Sequence, residues 1–185
     1  MAWDIHHATL GIIGLGRIGS AVAHRALAFH MKVLYCDAIR NGDLERQYGY
    51  QFADLDTLLR ESDFLTLHVP LTLQTHHYIG AAELRQMKPT AVLINAARGP
   101  VVDEKALVQA LREKWIFGAG LDVFENEPAL EPGLTELDNV VIVPHIASAT
   151  TGTRLAMGEI AIGNVRKVLN GLPPDTCVNP EVLGR

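Results

Sequence analysis

The sequence predicts an α/β fold, a doubly wound parallel sheet covered by helices on both faces, and two observations carry that reading. Short apolar runs alternate along the chain with stretches of helical period. The runs themselves are nearly continuous in apolar residues, as strands buried on both faces require. About seven strands are counted by this rule. The first is at Thr9–Ile13, followed by a helix over 17–29 in which Ile18, Val22 and Ala26 recur on one face. A second strand spans 32–37. The polar stretch 41–50 holds Gly42 and Gly49 and reads as a loop with a short helix. A brief helix at Leu55–Glu61 leads to a strand at 63–68, which Pro70 ends because proline cannot donate to a ladder. Helix is expected at 81–87, strand at 91–95, helix at Glu104–Arg112, and strands at 119–123 and 140–143, the last stopped by Pro144. An amphipathic helix over Thr151–Leu169, with Leu155, Ile162, Val165 and Leu169 turned inward, closes the pattern before Gly171, Pro173 and Pro174.

The chain's 185 residues, 48% of them hydrophobic, suffice for a full-sized core and suit one domain better than two. That domain is read as 1–185, with its folded core over 9–170 and a tail over 171–185. A net charge of -5 with no basic run does not support a nucleic-acid footprint and argues against an anionic membrane surface as partner. Cys36 and Cys177 stand far apart and form no C-x-x-C pair, which argues against a disulfide framework or structural zinc; no metal-ligand set is read. The stretch 1–7 holds Asp4 and two histidines rather than a basic segment followed by an apolar one, so no signal peptide is read there. No apolar run approaches the roughly 18 residues needed to span a bilayer, and a cytoplasmic protein is expected.

Gly14-Leu15-Gly16-Arg17-Ile18-Gly19 follows an apolar strand and opens a helix, the context in which a G-x-G-x-x-G motif points to a dinucleotide. Gly14 permits the tight turn, Gly16 lets backbone approach a pyrophosphate, and Gly19 lets helix and strand pack closely, so that the helix N-terminus faces an anion. Asp37 follows Gly19 by 18 residues at the end of the second strand, where a carboxylate accepts hydrogen bonds from the ribose hydroxyls. A carboxylate there repels a 2'-phosphate, so NAD is expected over NADP, with Arg40 nearby leaving room for dual use.

Three further segments fall at strand ends, where open parallel sheets bind ligands. They are Asn95-Ala96-Ala97-Arg98-Gly99-Pro100, Asp122-Val123-Phe124-Glu125-Asn126-Glu127-Pro128 and Pro144-His145-Ile146-Ala147-Ser148. Each supplies one group that reduction of a 2-oxoacid needs. Arg98 offers a planar fork for a carboxylate. His145 offers a proton near neutral pH for the carbonyl oxygen. Glu127 offers a carboxylate to orient and stabilise the imidazolium.

At these segments the chain resembles the D-isomer-specific 2-hydroxyacid dehydrogenases, through 10–19 (LGIIGLGRIG), 68–72 (HVPLT), 95–104 (NAARGPVVDE), 121–128 (LDVFENEP) and 143–150 (VPHIASAT). The resemblance implies the Rossmann-type NAD-binding domain of that family, with Arg98 on the substrate carboxylate, His145 as acid/base and Glu127 as its partner. It further implies that Asp122 and the backbone near Ala147 hold the nicotinamide carboxamide, that Val69 and Pro70 border the adenine, and that Thr75 reaches a phosphate or ribose. Ala96 and Ala97 belong to the same cofactor edge. Family members typically begin with a substrate domain of about one hundred residues, whereas nine residues precede Leu10 here. That domain is therefore expected to be largely absent, and 173–185, which in the family crosses back to it, to be partly unanchored. The segments 145–150 and 178–183 look more like glyoxylate and hydroxypyruvate reductases than phosphoglycerate dehydrogenases. The resemblance implies a homodimer formed through the nucleotide domain and a small 2-oxoacid or 2-hydroxyacid as substrate. An NAD-sensing, corepressor-like binding module is the alternative of a different class.

Overall fold

The computed structural model describes residues 4–184, so that Met1–Trp3 and Arg185, the outermost ends of the segments read at the two termini, lie outside the described residues. The chain divides into two compact units, 1–145 and 146–185. The first is a seven-stranded, all-parallel sheet of β1 (Thr9–Ile13), β2 (Lys32–Cys36), β3 (Gln51–Phe52), β4 (Phe64–Leu67), β5 (Val92–Asn95), β6 (Gly118–Leu121) and β7 (Val140–Ile142). Its order is β3-β2-β1-β4-β5-β6-β7. The chain thus winds outward from β1 to one side, then crosses to β4 and winds to the other, which puts the topological switch point between β1 and β4. Its helices are α1 (Arg17–Ala26), continued by a 3-10 turn at Leu27–Phe29, α2 (Gly42–Tyr48), α3 (Leu55–Glu61), α4 (Ala81–Gln86) and α5 (Glu104–Arg112).

Side chains alternate across each strand, so the continuous apolar runs feed two cores. On one face Ile13, Leu34, Leu65, Leu67 and Leu93 pack with Leu58, Leu59, Leu84, Leu107 and Leu111 of α3, α4 and α5. On the other, Leu10, Ile12, Val33 and Tyr35 pack with Ala23 and Ala26 of α1. Burying such a leucine contributes about 1.5–3 kcal/mol. Helix starts are set locally: Asn41, Asp54 and Asp103 accept hydrogen bonds from Leu44, Thr57 and Ala106 N–H and so cap α2, α3 and α5. Within α1 the inward face is Gly19, Ala23 and Ala26, while Ile18, read as part of that face, is 69% exposed. Small residues line the inward stripe because the helix packs close to the sheet beneath it.

The second unit contains α6 (Thr151–Leu169), capped by the Thr150 side chain, which accepts from Thr153 N–H. Its expected inward set is not buried: Leu155, Ile162, Val165 and Leu169 are all exposed, together with Met157, Ile160 and Val168. These apolar residues are spread around the helix rather than gathered on one stripe, so no single face is defined as the inner one. The stretch that follows is held at its start, where Asp175 N–H donates to Asn164 Oδ1 (2.9 Å) and Asn164 Nδ2 donates to Thr176 Oγ1 (2.6 Å). Among the described residues no helix is long and apolar enough to cross a membrane.

Candidate active site

The sheet register aligns the strand ends. Ile13 pairs with Leu67, Leu67 with Asn95, Asn95 with Leu121 and Leu121 with Ile142, so Gly14, His68, Ala96, Asp122 and Val143 open successive loops along one edge. At about 4.8 Å per strand, Gly14 and Asp122 lie roughly 14 Å apart along it. The motifs read separately from the sequence therefore share one side of the sheet.

At the switch point Gly14 has φ +93°, and a Cβ there would press on the His68 carbonyl oxygen at 2.8 Å. Its N–H is held by Cys36 O at 2.9 Å. A Cβ on Gly19 would overlap the Gly14 carbonyl oxygen. Gly16 differs, because a Cβ there would meet no protein atom within 4 Å. Packing therefore gives no reason for glycine at 16, whereas close approach of a phosphate does. Gly16 also serves as N-cap of α1 without a capping side chain, so the first-turn N–H groups receive none from that position. Arg17 and Ile18 stand exposed at the rim.

Asp37 is tied to this turn: its Oδ2 accepts from Leu15 N–H at 2.7 Å and its Oδ1 from Ile39 N–H at 3.3 Å. It lines a cleft of about 570 Å³ with Leu15, Gly16, Ile39 and Arg40. Arg40 is engaged, as its Nε and Nη2 donate to the two oxygens of Glu45 at 2.8 and 2.7 Å, and Tyr35 Oη also donates to Glu45. These bonds, Arg40 first, hold the Glu45 carboxyl down at about 2. A second cleft of about 590 Å³ is lined by Ile13, Cys36, Val69, Pro70, Thr75 and Tyr78. The Thr75 hydroxyl works within its own loop, donating to Pro70 O at 2.6 Å and accepting from Thr72 N–H at 2.8 Å. The glycine turn, the helix start and two clefts flanking Asp37 fit a dinucleotide.

At the other end of the edge, His145 Nδ1 and Glu127 Oε2 are 3.0 Å apart, and Glu127 Oε1 accepts from Phe124 N–H at 3.1 Å. The imidazole, then the Phe124 N–H, and more weakly the charge of Arg98 hold the Glu127 carboxyl below its ordinary value. His145 has φ +52°, a left-handed backbone that a non-glycine residue adopts at a cost, as happens where a side chain must be aimed. With Nδ1 committed to Glu127, Nε2 is the atom able to pass a proton outward. Arg98 is exposed, and its Nη1 donates to Ala97 O at 2.6 Å. Asp122 is buried, with its N–H on Asn95 O at 2.9 Å. Ala96 is exposed on the edge and Ala97 is buried. Ala147 belongs to the second unit, in a turn closed by Ala149 N–H on Ile146 O.

Residues 1–147 match the family model described as D-isomer specific 2-hydroxyacid dehydrogenase, NAD binding domain. The chain belongs to that family. Its relatives include the glyoxylate reductase of Thermococcus onnurineus, 52% identical over 99% of this chain and 55% of that protein. Among solved structures, D-lactate dehydrogenase with NAD+ from Lactobacillus jensenii superposes with a TM-score of 0.86 at 36% identity, over 96% of this chain and 57% of that one. The NADPH-dependent glyoxylate/hydroxypyruvate reductase of Sinorhizobium meliloti gives 0.81 at 39% identity, over 88% and 50%. The chain spans about half the length of the curated relatives it matches.

Three residues of this edge, quoted within the motifs 95–100 and 95–104, were given no role from the sequence. Asn95 is buried, with its Nδ2 donating to Arg98 O and its Oδ1 accepting from Ala97 N–H, so it shapes the loop that presents Arg98. Gly99 marks a backbone crossing, since a Cβ there would interpenetrate Phe124 and Glu125 main chain. Glu104, also buried, clamps the same loop by accepting from Glu125 N–H at 2.7 Å. An asparagine ending a strand and a glycine right after the arginine were the available signals.

Proposed function

We propose that this chain is the cofactor-binding half of an NAD-dependent D-2-hydroxyacid dehydrogenase whose substrate is a small 2-oxoacid such as glyoxylate or hydroxypyruvate. The observation that carries the reading is the 3.0 Å Glu127–His145 pair, electrostatically coupled to Arg98 and set on the edge that begins with the glycine cradle. In this reading Gly14, Gly16 and Gly19, with the backbone of Arg17 and Ile18, receive the pyrophosphate. Asp37 takes the adenine ribose hydroxyls, and Val69 and Pro70 border the adenine on the loop that Thr75 holds. Ala96, Ala97 and Asp122 serve the nicotinamide end.

The nicotinamide, when bound, supplies hydride to the carbonyl carbon. Arg98 orients the acid through its carboxylate. His145 hands its Nε2 proton to the C2 oxygen as negative charge grows there, and Glu127 stabilises the imidazolium through Nδ1. In the direction of oxidation the same imidazole takes the proton back.

NAD is favoured over NADP because Asp37 presents negative charge at the ribose and Arg40, a cation of the same cleft, is committed to Glu45. We also propose a homodimer formed through the nucleotide domain, for which the exposed apolar side chains of α6 supply material, and a reducing cytosol, which suits the free thiols of Cys36 and Cys177. Fluorescence titration with NADH and NADPH, followed by glyoxylate and hydroxypyruvate, tests the core of the reading. NADH binds more tightly than NADPH, and His145→Ala removes turnover while leaving NADH binding intact. Failure to bind either cofactor refutes it.

A further inference from the structure

We propose that His76, His77 and Glu125 form a binding site for a divalent transition-metal ion of the zinc or nickel class, a site independent of the dinucleotide reading. One ligand atom from each lies within 4.8 Å of the others. His77 Nε2 and Glu125 Oε1 are already 2.7 Å apart. An ion with bonds of about 2.0–2.1 Å needs its ligands roughly 3.3 Å from one another, so the three groups reach it through small side-chain rotations. Two imidazoles and one carboxylate are a donor set suited to zinc or nickel, and solvent completes the coordination on the exposed side.

The backbone makes this grouping. Neighbouring side chains on extended chain point to opposite sides. His77 instead has φ +49°, and the rings of His76 and His77 lie with centroids 4.1 Å apart at 31°. The peptide is fixed there, with His77 N–H on Pro100 O at 2.7 Å and His76 N–H on Thr72 O at 3.0 Å. Glu125 is oriented from behind, because its Oε2 accepts from Glu104 N–H at 3.3 Å while its own N–H donates to the buried Glu104 carboxylate. Such outer contacts hold a ligating carboxylate in place before the ion arrives. A bound ion ties the loop after β4, which carries Pro70 and Thr75, to the loop after β6, which carries Glu127.

The test is calorimetry of the untagged 185-residue chain with zinc chloride, paired with cobalt(II) absorption as a report on coordination. One equivalent binds with a Kd on the order of 10 μM or tighter. His76→Ala, at an exposed position, and Glu125→Gln each weaken it about tenfold or more, while His6→Ala with His30→Ala leaves it unchanged. His76→Ala leaves the metal-free melting temperature at the parent value, which separates ligand loss from misfolding. The proposal is overturned if zinc gives no saturable binding, or if the equivalent persists in His76→Ala and vanishes instead with His6 and His30, whose rings form a separate cluster with centroids 4.9 Å apart.

Discussion

Gly99 offers the sharpest perturbation of the site. Replacement by alanine adds one carbon where the main chain of Phe124 and Glu125 crosses. The loops after β5 and β6 must then part by roughly 1.5 Å before carbon–carbon contact becomes tolerable. Overpacking of this kind costs about 1–3 kcal/mol, which for a chain of this length lowers the melting temperature by about 2–12 °C. The same parting moves Arg98 away from Glu127 and His145, and a displacement near 1 Å costs about a hundredfold in rate. The cradle around Gly14 lies two strands from β5, so the pyrophosphate and adenine contacts are kept and NADH binding weakens far less than turnover. The assay is thermal denaturation by circular dichroism, with NADH fluorescence and hydroxypyruvate turnover on the same samples. Gly120→Ala is the control, as a Cβ there meets nothing within 4 Å. Melting of Gly99→Ala within about 1 °C of the parent refutes the crossing as a close contact, and with it the account of how Arg98 is positioned.

Asp37→Ser removes the charge that opposes a 2'-phosphate and shifts the NADPH-to-NADH affinity ratio by about tenfold or more, about 1.4 kcal/mol; an unchanged ratio in paired titrations means Asp37 does not set the preference. Gly19→Ala places a Cβ on the Gly14 carbonyl oxygen, so NADH affinity falls by at least about tenfold, and retained affinity contradicts the close helix–strand contact. Glu45 titrates near 2 in the folded chain, held down by Arg40 and then Tyr35. Its depressed value contributes stability that is fully present above the ordinary carboxylate range and is lost as pH falls toward about 2. Urea midpoints of the parent and Glu45→Gln therefore differ at pH 7 and converge toward pH 2, and a gap independent of pH counts against that network.

The strands were legible because burial on both faces leaves an apolar run, and the runs at 9–13, 32–37, 63–68, 91–95, 119–123 and 140–143 all fall on observed strands. The strand Gln51–Phe52 was not read from the sequence: two exposed residues paired with the edge of β2 leave no run. The close of α6 was legible from its glycine and prolines, but its inward face was not. The set Leu155, Ile162, Val165 and Leu169 looked like a stripe only because the other apolar residues of the helix were not weighed against it. At the site, Gly14, Asp37, Arg98, Glu127 and His145 stood out because each sits at a strand end with a distinct chemistry. Asn95, Gly99 and Glu104 act through contacts between loops distant in sequence, and nothing local announces a crossing.

Level strand ends also divide the labour of the sheet. The loops of β1, β2 and β4 face the clefts around Asp37, Val69 and Pro70, while the loops of β5, β6 and β7 carry Arg98, Glu127 and His145. Each loop is anchored by its own strand. Substitutions around Asp37 can therefore accumulate without disturbing the Glu127–His145 pair held by the far strands. A single frame can serve a lineage that changes its reductant and its acid on separate occasions.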